Sequence, residues 1–223
     1  MLIAFEGIDG SGKTTQVELL SKRLTDKNIS NEILREPGGT TLGEGIRETL
    51  LHRSDLKINP MSEFLLFSAS RAQLVSEKVL PLLASGKVVI LDRYFYSSIA
   101  YQGFGRGIPI QQIETVSHVA TQNLLPDVIF LIELDIETAL KRRTLSRLAS
   151  DRMEDAEIKF FKKVVDGFGY CAKKEPDRFV MVNGTTSINK MSDKIFNEVL
   201  YRMEKLTPLR QKVTEGKENH NAS

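Results

Sequence analysis

Apolar and polar positions along the chain fall into two alternating kinds of segment. Short runs that are apolar on both faces predict strands over residues 2–5, 87–92, 127–134 and 179–182, with a weaker one over 31–34. Continuous runs of this length, rich in β-branched residues, suit parallel strands covered by helices on both faces. Between them the apolar positions recur at helical spacing. Residues 13–28 carry Val17, Leu20 and Leu24 on one side. Asn59-Pro60 reads as a cap with an N1 proline, opening a long helix that Gly86 closes and that Pro81 should kink or break near its end. Residues 110–124 form a further helix that stops before Pro126, followed by helices over 137–148 and 155–174. The last, 187–206, places Ile188, Met191, Ile195 and Val199 together. Strands alternating with helices of this length imply βαβ units, right-handed crossovers and an α/β fold.

Composition narrows the class. At roughly 150 residues per domain, 223 residues make one large domain or two small ones. No interior linker or repeat divides the chain, and the stretch from Gln211 to Ser223 is polar and aperiodic. The expectation is one domain over 1–206 and a disordered tail over 207–223. The single cysteine, Cys171, excludes a disulfide framework and a cysteine-rich zinc site. No apolar run approaches the ~18 residues of a membrane span. Met1 to Phe5 contains no basic n-region and runs into Glu6 almost at once, unlike a secretory signal, so a cytoplasmic location is expected. A net charge of +2 lacks the basic excess of a nucleic-acid binder, which leaves small anionic partners.

The strongest chemical signal is Gly7-Ile8-Asp9-Gly10-Ser11-Gly12-Lys13-Thr14, a complete G-x-x-x-x-G-K-[ST] loop between a predicted strand and a predicted helix. Glycines let successive backbone N–H groups curl towards phosphate oxygens, and the helix N-terminus adds partial positive charge. Lys13 reaches the outer phosphates of ATP, and the Thr14 hydroxyl ligates Mg²⁺. Asp92 ends a buried apolar strand, the position of a second metal-holding carboxylate, and Arg93 follows it. A carboxylate–guanidinium pair between Asp92 and Arg93 would lie at the carboxyl ends of the strands, where α/β sheets bind ligands.

A phosphate loop alone serves switches, motors and kinases. Asn189-Lys190-Met191-Ser192-Asp193 has one residue too many for a guanine reader and opens a helix, and no D-x-x-G follows Asp92. A nucleotide switch is therefore disfavoured. Arg35, Arg47, Arg71, Arg93 and a later group of Lys141, Arg142, Arg143, Arg147 and Arg152 lie beyond strand ends and on nearby helices, suited to two anionic substrates.

Five blocks then occur in one order: residues 7–14, Arg35-Glu36-Pro37-Gly38-Gly39, Leu66-Phe67-Ser68-Ala69-Ser70-Arg71, Asp92-Arg93-Tyr94 and Ser97-Ser98-Ile99-Ala100-Tyr101-Gln102-Gly103. Together they resemble the thymidylate kinases, which phosphorylate dTMP with ATP. The resemblance covers about 1–206 and implies a P-loop nucleoside monophosphate kinase fold, a five-stranded parallel sheet with helices on both faces, usually as a homodimer. It implies that Phe67 stacks on thymine and Arg71, one helical turn on, bonds its edge. Ser98 would lie at the base, with Glu36, Pro37 and Gln102 among the residues of the acceptor site. Tyr101 would lie under the sugar and Asp9 at its 3′-hydroxyl, while Arg47 and Arg93 hold the acceptor phosphate. Taken singly, Phe67 and Tyr101 also fit core aromatics, and Ser98 a helix cap.

The acceptor phosphate, with a second pKa near 6, is already ionised at neutral pH, so no general base is needed. His52, His118 and His220 lie outside every block. Charge compensation falls to Lys13, Mg²⁺ and arginines. Some thymidylate kinases carry a catalytic arginine inside the phosphate loop; that position here is Gly10. The chain thus resembles the bacterial class with its arginine in a lid, expected at about 141–155. The candidates are Arg147, then Arg152, then Arg142. The alternatives are another nucleoside monophosphate kinase or a deoxynucleoside kinase on the same scaffold.

Overall fold

The computed structural model of the chain describes residues 1–144 and 154–218. Among them are five strands: β1 (Leu2–Glu6), β2 (Asn31–Arg35), β3 (Val88–Asp92), β4 (Val128–Glu133) and β5 (Phe179–Asn183). All pair in parallel, in the order β2-β3-β1-β4-β5. β1 is central, with Ala4 in register with Leu91 on one side and Ile129 on the other. The expected five-stranded parallel sheet is present.

Because strand side chains alternate, the sheet divides the core into two layers. Leu2, Ala4, Val89, Leu91, Ile129 and Leu131 face one layer, and Ile3, Phe5, Val88, Ile90, Val128 and Phe130 the other. The second is closed by α1 (Lys13–Asp26) through Val17, Leu20 and Leu24, and by α9 (Ile188–Glu218) through Met191, Ile195 and Val199. The first is closed by α3 (Pro60–Leu74), α6 (Ile110–Ala120) and α8 (Glu154–Lys174), which bring Phe64, Ile113, Val164 and Phe168. Shorter helices complete the described chain: α2 (Thr41–Leu51), α4 (Leu80–Ala84), α5 (Phe95–Ser98) and α7 (Ile136–Thr144). No helix among the described residues is long and apolar enough to cross a membrane.

Three departures from the sequence reading have local causes, and the interruption expected near Pro81 is present. The helix expected over 60–86 is interrupted by a π-helical turn, Val75–Val79, ahead of Pro81. Proline has no N–H to continue the ladder, and Leu80 N–H donates instead to the Val75 carbonyl, five residues back. α6 ends at Ala120, short of 124, because Gln122 (φ 53°) and Asn123 (φ 59°) are left-handed. Sequence periodicity predicts nothing between Asp92 and 110, yet α5 continues into a π-helical segment, Ile99–Gly105. Finally, the backbone of α9 runs to Glu218, past Leu206 and through Pro208, where a disordered tail is expected. The residues there include Arg210, Gln211, Lys212 and Glu215, all good helix formers, which composition scored only as polar.

Candidate active site

The site is built at the carboxyl edge of the sheet. Between the end of β1 and the start of α1 the chain makes the phosphate loop, 7–12, with Gly7 at φ 137° and Gly10 at φ 82°. Both need glycine for reasons of space as well as φ. A Cβ on Gly7 would lie 2.6 Å from the Ile132 carbonyl oxygen, and one on Gly10 would lie 2.5 Å from that of Ala139 in α7. The loop is thus wedged between β4 and α7. In this backbone a side chain at position 10 would meet α7.

Lys13 opens α1 and folds back over the loop, its Nζ donating to the carbonyls of Gly7 (3.0 Å) and Ile8 (2.9 Å). Burial, and then the neighbouring Arg93, lower its pKa to about 7, against the weaker pull of Asp9 and Asp92. One residue on, Thr14 Oγ1 donates to Asp92 Oδ2 at 2.8 Å, joining α1 to the end of β3. A hydroxyl and a carboxylate oxygen side by side at a phosphate loop suit a hard cation that completes its shell with phosphate oxygens and water. No group of three or more acidic, histidine or cysteine side chains that could hold a metal by itself occurs among the described residues. The pair therefore fits Mg²⁺ held jointly with a nucleotide.

Arg93 does not pair with Asp92. It sits at φ 75°, a conformation uncommon outside glycine, and turns back across the loop. Its Nη2 meets Asp9 Oδ1 at 2.6 Å, and its Nη1 donates to the Gly7 carbonyl (3.1 Å) and Ser97 Oγ (2.9 Å). The Tyr101 ring centroid lies 5.2 Å from its guanidinium carbon. The unusual backbone is held by a buried carboxylate absent from the sequence candidates. Glu6, at the end of β1, accepts from the Tyr94 N–H (2.9 Å), the Ser97 N–H (3.2 Å) and Ser97 Oγ (2.6 Å). Burial raises its pKa, with Arg93 and these hydrogen bonds pulling the other way. Its only sequence signal is a charged residue closing an otherwise apolar strand.

Beside the loop lies a cavity of about 380 Å³, walled by Phe67, Arg71, Ser98, Tyr101 and Gln102 and reaching Pro37, Arg47 and Glu63. A second cavity, about 440 Å³, lies over Gly10, Gly12, Lys13, Thr14 and Asp92. Asp9, Glu36, Arg47 and Arg93 line both. The two spaces therefore meet at two arginines. Arg71 is buried at 2% exposure, its Nε 2.6 Å from Glu36 Oε2 and its Nη1 3.3 Å from Ser98 Oγ. Burial pushes the Glu36 carboxyl up to about 7 against the attraction of Arg71. Its other oxygen, Oε1, is buried without a hydrogen-bond partner. The Glu36-Pro37 peptide is cis, and Arg47 Nη1 donates to the Pro37 carbonyl at 2.9 Å.

The expected residues are thus brought together from α1, α2, α3, the β2–α2 turn and the segment after β3. Of the lid candidates, Arg142 on α7 donates from Nη2 to the Gly184 carbonyl at 3.4 Å, three residues beyond the Ala139 contact with the phosphate loop. Arg147 and Arg152 lie outside the described residues. Glu63, which also faces the acceptor cavity, is absent from the sequence candidates.

The thymidylate kinase family profile matches residues 5–195. The chain belongs to the thymidylate kinase family. A thymidylate kinase of Caldanaerobacter subterraneus is 44% identical over 201 residues, covering 89% of this chain and 95% of that one. That of Chlorobium chlorochromatii is 45% identical over 215 residues, covering 92% and 96%. A crystal structure of thymidylate kinase from Ehrlichia chaffeensis superposes with a TM-score of 0.75 at 33% identity, covering 90% of this chain and 98% of that one. The matched range holds the phosphate loop, the Arg35–Gly39 turn, the Asp92-Arg93-Tyr94 block and the lid positions. Membership in the thymidylate kinase family accounts for two nucleotide-sized spaces sharing a cationic boundary.

Proposed function

We propose that the chain transfers the γ-phosphate of ATP to dTMP, giving ADP and dTDP, a step towards dTTP. The observation that carries this reading is the shared wall of the two cavities, in which Arg47 and Arg93 border both the phosphate loop and a pocket walled by Phe67. An uncharged nucleoside acceptor would not need those two cations.

ATP lies with its phosphates over residues 7–14. Lys13 exchanges its two loop carbonyls for phosphate oxygens. dTMP enters the neighbouring cavity with thymine against Phe67, its edge at Arg71, Ser98 and Gln102, its sugar over Tyr101 and its 3′-hydroxyl towards Asp9. Glu36 and Pro37 shape the turn under it. Arg47 and Arg93 hold its phosphate, already a dianion near neutral pH, so no residue has to remove a proton. An oxygen of that phosphate forms a bond to the γ-phosphorus while the bond to the β–γ bridging oxygen breaks, and ADP leaves with that electron pair. Thr14 and Asp92 would hold Mg²⁺, which when bound neutralises charge between the β and γ phosphates. The arginines do the same from the acceptor side, joined by a lid arginine from Arg147, Arg152 or Arg142.

The catalytic domain in this reading spans 1–206 with its lid at about 141–155. Pairing of two copies and a cytoplasmic location belong to the reading through family resemblance. The test is ADP release with dTMP, dUMP, dCMP, UMP, AMP, thymidine and no acceptor. Fast turnover with dTMP is expected. Fast turnover with AMP and none with dTMP would overturn the proposal.

A further inference from the structure

One polar contact in the acceptor cavity joins residues from two distant segments. Gln102, on the π-helical segment Ile99–Gly105, is 4% exposed, and its Nε2 donates to Glu63 Oε1 at 2.8 Å. Glu63 lies in the first turn of α3. Its second oxygen accepts from Arg106 Nη2 at 3.3 Å. An ionised carboxylate only accepts hydrogen bonds, so it can face the NH₂ end of an amide and repels the carbonyl end. The orientation of the Gln102 amide is thereby set by charge. Its carbonyl Oε1 takes no hydrogen bond from the described residues and is left for the cavity that Gln102 lines.

We propose that Glu63 is a positioning residue that locks the Gln102 amide with its carbonyl towards the base, and so makes the pocket select pyrimidines that present a ring N–H. The proposal rests on the dTMP reading and deepens it. Arg71, tied by Nε to Glu36 and by Nη1 to Ser98, keeps donors of its guanidinium for the same pocket. The pocket then offers a donor beside an acceptor. A 4-oxo pyrimidine such as thymine has the matching carbonyl beside a ring N–H. A 4-amino pyrimidine such as cytosine reverses both: its amino group faces the Arg71 donors and its bare ring nitrogen faces the Gln102 carbonyl. A free amide could flip to meet it; an amide locked by Glu63 cannot. Mismatched hydrogen-bonding groups in a closed pocket discriminate more strongly than lost contact area does.

The test is a double-mutant cycle of Glu63→Ala and Gln102→Ala, with Glu63→Gln as a neutral variant of the same shape. Turnover and calorimetric binding are read with dTMP and with dCMP. In the otherwise native protein, either Glu63 variant is expected to raise KM for dTMP about 10-fold with little change in kcat, and to narrow the dTMP-to-dCMP ratio of kcat/KM by a similar factor. In the Gln102→Ala background the same change at Glu63 should alter neither quantity. Equal effects of Glu63→Ala in both backgrounds, or an unchanged dTMP-to-dCMP ratio, would overturn the proposal. A general structural role would lower kcat and stability for both acceptors alike, leaving their ratio in place. If the native protein turns over another acceptor and not dTMP, the reading of function fails. The binding preference for 4-oxo over 4-amino pyrimidine monophosphates, and its loss in Glu63→Gln, still decides the role of Glu63.

Discussion

Arg93 Nη2 lies 2.6 Å from Asp9 Oδ1, so the residue after β3 is clamped to the tip of the phosphate loop. The ion pair stands on the boundary between the donor and acceptor cavities. It holds the guanidinium where two phosphate groups would meet.

Arg93→Ala is therefore expected to lower kcat/KM for dTMP by about 10²–10³-fold while leaving KM for ATP nearly unchanged. Asp9→Asn keeps the shape of the loop and loosens the clamp, so its effect on dTMP should be smaller. Steady-state kinetics with each substrate varied in turn checks both. A larger effect on ATP than on dTMP would place Arg93 on the donor side only.

Lys13 carries a pH signature. Its pKa of about 7, set first by burial, leaves it largely neutral at pH 8. A bound triphosphate favours the charged form, so binding should draw up to about one proton onto Lys13 at pH 8. The uptake fades as the pH falls below 7, where free Lys13 is already protonated. Calorimetry of a non-hydrolysable ATP analogue in buffers of different ionisation enthalpy measures it directly. Lys13→Met should abolish the uptake.

Gly10 is the position where some relatives in the family place an arginine. With φ at 82° and the Ala139 carbonyl 2.5 Å from any Cβ, Gly10→Ala should cost about 1–3 kcal/mol of stability and weaken ATP binding. Gly10→Arg should lower the rate rather than supply a second catalytic cation. By contrast, Arg147→Ala, at the first of the arginine candidates named from the sequence, is expected to cut kcat by about 10²–10³-fold with a small change in KM for dTMP. Thermal unfolding and kinetics together separate the two effects.

The Arg71–Glu36 pair is buried on both sides, at 2% and 3% side-chain exposure. Arg71→Ala would leave the carboxylate without its cation, a loss of about 3–5 kcal/mol in denaturant unfolding at pH 8. The loss should shrink as the pH falls, because the unpaired carboxyl, already raised to about 7 in the native protein, is pushed higher and accepts a proton. Adding Glu36→Gln to Arg71→Ala should recover much of the stability but none of the dTMP affinity.

Much of the fold was legible in the chain because the information is local. Apolar runs over β1, β3 and β4 mark strands that are covered on both faces, and the glycine spacing of residues 7–12 with Lys13 and Thr14 marks a phosphate loop. The block order also named many of the residues that line the two cavities. One local reading failed where a single backbone feature overrode periodicity: the left-handed Gln122 and Asn123 end α6 early. What only the tertiary structure decided is who faces whom. Thr14 and Asp92 are 78 residues apart, Asp9 and Arg93 84, Glu36 and Arg71 35, and Glu63 and Gln102 39. Sequence proximity suggested that Arg93 would pair with Asp92. The left-handed turn at Arg93, anchored through buried Glu6, sends it to Asp9 instead. Periodicity reports which face of an element is buried, whereas the partner of a buried charge is chosen by the three-dimensional packing that removes both from water.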